Sequence, residues 1–199
     1  MVLKVGIIGA GGIAKDAHIP NYLKCGEKVE IVAISDVVIE KAEEVAKKFG
    51  IPHVFSSYEE MLEKVELDAV SICTPNKFHY PATTAALKAG CHVLCEKPPA
   101  MTVKEAEAMA EAADKAGKIL TYGFHYRHAP QVEALKRFID AGELGEIYAT
   151  RVTAMRRRGI PGWGVFTNKE LQGGGPLIDI GVHMLDTAMY LMGYPEPDT

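Results

Sequence analysis

Residues 177–191 place Asp179, His183 and Asp186 at spacings i, i+4 and i+7, so one helical face carries a carboxylate beside an imidazole. Such a pair takes up and delivers protons near neutral pH. Leu177, Gly181, Met184, Ala188 and Leu191 form a separate apolar stripe, and Gly173-Gly174-Gly175-Pro176 leads into it. A satisfied structural histidine is the bland alternative, and the pairing beside a glycine-rich lead-in sets proton transfer level with it. Two further clusters hold groups able to bind or polarise a ligand: Thr74-Pro75-Asn76-x-x-His79 and Glu96-Lys97-Pro98. Lys97 offers a cation to developing negative charge. Equally, Pro75 and Pro98 read as strand terminators, Asn76 as a helix cap and Lys97 as a solvated charge.

Gly9-Ala10-Gly11-Gly12-Ile13-Ala14 adds a second kind of chemistry. It follows the apolar run Val2 to Ile8 and opens a helical segment, the setting in which Gly-x-Gly-x-x-Ala receives the pyrophosphate of a dinucleotide. Gly9 permits the tight turn, Gly11 lets backbone approach the phosphates, and Ala14 lets helix and strand pack closely. Asp36 ends the second apolar run 22 residues past Ala14, near the ~20 expected of the acid that accepts ribose hydroxyls. Val37 and Val38 stand where a protein for NADP more often has Arg, and the Asp36 carboxylate repels a 2′-phosphate. The expected cofactor is therefore NAD, with NADP disfavoured.

The elements that must position these groups alternate. Val2 to Ile8, Val29 to Ser35, Ala69 to Cys73, His92 to Cys95 and Ile119 to Tyr122 read as strands. Between them, Val38, Ala42, Val45 and Phe49 make one helical stripe, and Val103, Ala106, Ala110 and Ala113 another. Ser57-x-x-Glu60 and Thr102-x-x-Glu105 are capping-box starts. Strands apolar throughout and separated by helices are covered on both faces, so the fold class is α/β with a doubly wound parallel sheet of the Rossmann kind. The Thr74 and Glu96 clusters then fall at carboxyl ends of strands, where such sheets bind ligands. The pattern stops near Phe124. A helix is expected from Pro130 to Ala141, Gly142 and Gly145 punctuate its end, and Ile147 to Met155 reads as a strand opening a different arrangement. The expected division is 1–124 and 125–199, with no internal repeat.

The chain has 199 residues, 48% hydrophobic and 24% charged, the profile of an ordinary globular protein. The net charge of -4 comes from interspersed signs, and Arg156-Arg157-Arg158 is the single dense basic run, which argues against a nucleic-acid partner. No apolar stretch approaches the ~18–20 residues that cross a bilayer, and the opening residues lack the regions of a signal peptide. A cytoplasmic protein without a membrane partner is expected. Cys25, Cys73, Cys91 and Cys95 contain no Cys-x-x-Cys and read as reduced thiols. Cys91, Val93 and Cys95 share a strand face, which favours packing, so no metal is expected. Arg156 and Trp163 lie before the glycine run, as a substrate lid or as a basic strand end plus a core indole. Arg127 is a substrate contact or a brace at the domain junction.

Taken together and in this order, Gly9-x-Gly11-x-x-Ala14, Thr74-Pro75-Asn76-x-x-His79, Glu96-Lys97-Pro98 and Gly174-Gly175-Pro176-Leu177-x-Asp179-x-Gly181-x-His183-x-x-Asp186 resemble the Gfo/Idh/MocA oxidoreductases, the glucose–fructose oxidoreductase and inositol dehydrogenase family. The glycine motif is weakly specific; Glu-Lys-Pro with Asp-x-x-x-His downstream is strongly so. The resemblance covers essentially the whole chain. It implies a Rossmann domain followed by an α+β domain built on an open, mainly antiparallel sheet, with Lys97, Asp179 and His183 around nicotinamide and substrate. The cofactor-binding set expected is Gly9, Gly11, Gly12, Ile13, Ala14, Asp36, Thr74, Pro75, Asn76, His79, Glu96 and Lys97.

The activity implied is NAD-dependent hydride transfer at a hydroxyl-bearing carbon of a sugar, polyol or sugar derivative. His183 would remove the hydroxyl proton, Lys97 would stabilise alkoxide charge, and Asp179 would hold His183 or a second hydroxyl. Family members continue well beyond residue 199, and the sheet built there walls the substrate site and makes the oligomer interface. A fragment of a longer, homo-oligomeric protein is therefore expected. Two other readings stay open: a non-catalytic NAD-binding module or truncated regulator, against which Lys97, Asp179 and His183 speak, and a reductase of a non-sugar carbonyl or imine.

Overall fold

The structure, a computed structural model, describes residues 2–155, 157–159, 161–162 and 164–196. By its internal contacts the chain forms two compact units, Met1–Gly123 and Phe124–Thr199.

The first unit is built on six parallel strands: β1 Leu3–Ile8, β2 Val29–Ser35, β3 His53–Phe55, β4 Ala69–Ile72, β5 His92–Cys95 and β6 Leu120–Tyr122. Their order is β3-β2-β1-β4-β5-β6, so the winding reverses between β1 and β4. Loops leaving those two strands open onto the crevice where doubly wound sheets take ligands. Val5–Ile8 and Ile31–Ser35 are buried without alternation because helices cover both faces. Val5 and Ile7 join Ile31, Ile34, Ile19, Ala42 and Val45 on one side, while Ile8 joins Val70, Ile72, Val93, Leu87 and Met109 on the other. Five of the six strands match the apolar runs, with Val2, Cys73 and Ile119 falling just outside them. The sixth, β3, has only three residues and no apolar run. It completes the backbone pairing of Ala33–Ser35 at the sheet edge.

A π-helical turn, Ala14–His18, runs into α1, Ile19–Leu23. Pro20 lacks the N–H that an α register would give the Asp16 carbonyl, and the wider turn ahead of it absorbs the break. α2, Ile39–Phe49, buries Ala42, Val45 and Ala46, whereas Val38 is its N-cap. α3, Tyr58–Lys64, starts at Ser57, whose hydroxyl accepts from Glu60 N. α4, His79–Lys88, follows the Thr74 loop, and α5, Val103–Ala116, opens with a complete Thr102–Glu105 capping box. The expected α5 stripe is turned: Met109 and Ala113 are buried, while Val103 and Ala110 face solvent. Met109 has more apolar surface to remove from water than any alanine beside it, and that sets the rotation.

The second unit holds a 3-10 turn at His125–His128, α6 Pro130–Asp140, α7 Lys169–Gln172, a π-helical turn at Leu177–Gly181 and α8 Val182–Leu191. Pro130 begins α6, where its missing N–H costs nothing. The strand expected over 147–155 does not form. A strand exists through its pairing, and among the described residues nothing pairs with this segment, so alternation alone leaves it irregular. Among the described residues no helix is long and apolar enough to cross a membrane.

Candidate active site

β1 delivers the chain into the glycine loop with Gly9 at φ 98°, and Gly9 N donates to Ser35 O at 2.7 Å. A Cβ at Gly9 would lie 2.7 Å from the Cys73 carbonyl oxygen, so both the left-handed conformation and the close approach require glycine. Gly11 and Gly12 differ. The nearest atoms to a Cβ there are 3.9 and 3.8 Å away, so these positions leave open space in front of exposed backbone. Ala14 is fully buried against the sheet and Ile13 is exposed at the loop's rim. This is a cradle shaped for an anion at a helix start.

Asp36, immediately past β2, ties that loop down: one carboxylate oxygen accepts Ala10 N at 2.8 Å and the other accepts Val38 N at 2.9 Å. Each oxygen keeps a lone pair for a ribose hydroxyl. Val37 is 91% exposed, and neither it nor Val38 offers a cation to a 2′-phosphate. The residues present thus fit NAD.

The Thr74 and Glu96 loops are joined from behind by His79. Its ring is fully buried, with Nδ1 2.7 Å from the Pro98 carbonyl and Nε2 3.0 Å from the Thr74 carbonyl. Burial lowers its pKa despite these two contacts. His79 is therefore placed behind the loops rather than on the surface a cofactor would touch. Asn76 is buried, and Thr74, Pro75 and Lys97 are half-buried.

Glu96 turns inward, and it meets residues that sequence reasoning missed. Its Oε1 lies 2.8 Å from His18 Nε2, its Oε2 accepts Lys97 N at 3.2 Å, His18 Nδ1 lies 3.1 Å from Ser71 Oγ, and Ser71 Oγ lies 2.7 Å from the Tyr22 hydroxyl. Burial pushes the Glu96 carboxyl upward, but the hydrogen bond from His18, with the Lys97 N–H and charge, outweighs it and holds the group below its ordinary value. A Cβ on Gly123 would sit 2.9 Å from Glu96 Oε1, so glycine makes room for the carboxylate. A signal was available: Ala14, His18 and Tyr22 recur at i, i+4 and i+8, and the motif already commits Ala14 to the sheet.

In the second unit His183 is 4% exposed, with the rings of His125, Tyr126 and Phe124 at centroid distances of 4.8, 5.0 and 6.2 Å. Asp186 is paired through both oxygens with Arg127, whose Nε donates at 2.8 Å. The Arg127 guanidinium also lies over Phe124, Tyr190 and Tyr194. Of the two roles expected for Arg127, the structure supplies bracing, inside the second unit. The expected stripe of Leu177, Gly181, Met184, Ala188 and Leu191 is corrected: α8 buries His183, Asp186, Thr187 and Leu191, and Leu177 is exposed. The π turn over Leu177–Gly181 breaks the 3.6-residue register that the sequence pattern assumed, so Asp179 precedes the regular helix. Arg156 and Trp163 lie outside the described residues.

Residues 3–124 match the oxidoreductase family described as GFO/IDH/MocA, NAD-binding Rossmann fold, and residues 132–197 match the GFO/IDH/MocA C-terminal domain. The chain is 52% identical over 193 residues to the D-glucoside 3-dehydrogenase of Escherichia coli (strain K12), covering 97% of this chain and 55% of that protein. It is 35% identical to the glucose-6-phosphate 3-dehydrogenase of Bacillus subtilis (strain 168), covering 94% and 53%. A levoglucosan dehydrogenase solved in complex with NADH superposes with a TM-score of 0.84 at 29% identity, covering 97% and 54%. The chain thus spans about half the length of the curated relatives it matches.

Proposed function

The chain belongs to the GFO/IDH/MocA oxidoreductase family, and from that premise we propose that it serves an NAD-dependent dehydrogenase oxidising a ring hydroxyl of a D-glucoside or related sugar. The observation that carries this reading is the 52% identity over 193 residues to a D-glucoside 3-dehydrogenase, in a chain that itself carries Lys97, Asp179 and His183. Residues 1–124 take the cofactor, and 125–199 contribute to substrate binding and assembly. Cytoplasmic work as a homo-oligomer goes with it, in keeping with the family resemblance and with four cysteines that are all free thiols.

Bound NAD supplies the hydride acceptor. The Gly9–Ala14 backbone, including Gly11, Gly12 and Ile13, receives the pyrophosphate, Asp36 accepts ribose hydroxyls, and Thr74, Pro75 and Asn76 border the dinucleotide beyond β4. Lys97 donates from its ammonium to the reacting hydroxyl oxygen, which stabilises the negative charge that grows there as the C–H bond breaks. A ring nitrogen of His183 removes the hydroxyl proton, and Asp179 orients the imidazole or a neighbouring hydroxyl. Burial of His183 among aromatic rings holds the imidazole in one orientation, as proton transfer requires.

The test is NADH formation when the purified protein is given NAD with D-glucosides, free aldoses and polyols in turn, the product's carbonyl position being read by NMR. The reading expects a ketone at a former ring hydroxyl of a D-glucoside. NAD binding without turnover on any of these would instead favour a binding module, and reduction of an imine alone would favour the non-sugar alternative.

A further inference from the structure

The buried groups around Glu96 admit one arrangement of protons that satisfies every member. Tyr22 donates to Ser71 Oγ, Ser71 donates to His18 Nδ1, His18 Nε2–H donates to Glu96 Oε1, and Lys97 N–H donates to Glu96 Oε2. All donors point toward one anion. If His18 carried a second proton, Ser71 Oγ would accept from it, and one hydroxyl proton, that of Ser71 or that of Tyr22, would then have no acceptor among the described contacts. The middle of this hydrogen-bond chain is shielded from water: Ser71 is fully buried and the His18 side chain is 7% exposed. Hydrogen bonds in such surroundings reinforce one another and fix geometry.

From this geometry we infer that His18 is a positioning residue for Lys97: it holds the Glu96 carboxylate, and that carboxylate holds the backbone from which the Lys97 side chain departs. The helix that opens at the cofactor loop is thereby tied to the lysine loop by side chains rather than by sheet pairing. The consequence for turnover rests on the dehydrogenase reading above; the consequence for the loop does not.

The experiment compares the parent protein with His18→Ala and His18→Gln. The glutamine amide offers an N–H where Nε2–H stood and a carbonyl where Nδ1 accepted. In the parent, side-chain nitrogen resonances should report His18 as the neutral Nε2–H tautomer. In His18→Ala the Lys97 amide proton should exchange with solvent about tenfold faster or more, while amides of the β4–β5 ladder keep their rates. NADH affinity should stay within about threefold, and turnover at saturating NAD should fall about 10–100-fold, because misplacement near 1 Å costs that much. His18→Gln should recover most of both effects. The inference is overturned if the Lys97 amide is unmoved in His18→Ala, if ladder amides accelerate equally, or if His18→Gln folds and behaves like the alanine variant. Should His18→Ala fail to fold, Ser71→Ala removes one link, and the same selective change at Lys97, smaller in size, is required. A parent without turnover would count against the dehydrogenase reading alone, since tautomer and amide exchange are measured without substrate.

Discussion

Met1–Gly123 buries Ile7, Ile34, Ile72, Leu87 and Met109 on two sides of a sheet, and its buried His18, Ser71 and His79 are hydrogen-bonded within that same unit. In Phe124–Thr199, by contrast, Leu191 is the one buried apolar side chain among the described residues, and His183, Asp186 and Thr187 make up the rest. The first unit is held by apolar burial, which is non-directional and tolerant of small shifts. The second is held where it is buried by contacts that depend on partner and angle: the Arg127–Asp186 pair and the rings around His183. An apolar frame that carries the glycine loop is thus distinct in kind from a directionally wired unit that carries His183.

The largest test of this contrast is Ile72→Ala, which opens a cavity at the centre of the first core. It should cost about 2–5 kcal/mol in denaturant unfolding, with little dependence on salt. Next comes Asp186→Asn, which leaves the Arg127 guanidinium facing a neutral amide. Since the Arg127 side chain is 32% exposed, water screens part of the loss, and about 1–3 kcal/mol is expected, with the difference shrinking in high salt. A double-mutant cycle with Arg127→Met isolates the pair; a coupling of zero would remove the proposed wiring of the second unit.

Smallest is the response to acid, which belongs to the first unit. Burial holds His79 below its ordinary value of 6.5, so the unfolded chain binds a proton there first, and stability falls as the pH drops below 6.5 until His79 itself protonates. Glu96 is also depressed, so its contribution is present above 4.5 and is lost as the pH falls through its lower folded value. Two acid steps should appear in pH-dependent unfolding. His79→Gln should erase the upper one and leave the lower.

The same contrast explains what was legible in the sequence. Uniform apolar runs and the glycine motif with Asp36 announced the first unit, because burial on both faces leaves no other composition open to a parallel strand. Its three-residue edge strand carried no such mark. Met109, rather than Ala110, set the face of α5 because volume outweighed spacing among alanines. In the second unit the periodic reading failed at Leu177–Gly181, where a π turn shifts the register, and at 147–155, where alternation lacked a pairing partner. Lys97, Asp179 and His183 were visible as motifs. Their supports were not, since the contacts of Glu96 with His18 and of Asp186 with Arg127 join residues 78 and 59 positions apart.

The most direct measurement is the rate of NADH formation from NAD and a D-glucoside by Lys97→Ala beside the parent, with NAD affinity determined for both. The account predicts a loss of about 10²–10⁴-fold in turnover with NAD still bound at comparable affinity. Equal turnover in the two proteins would contradict it.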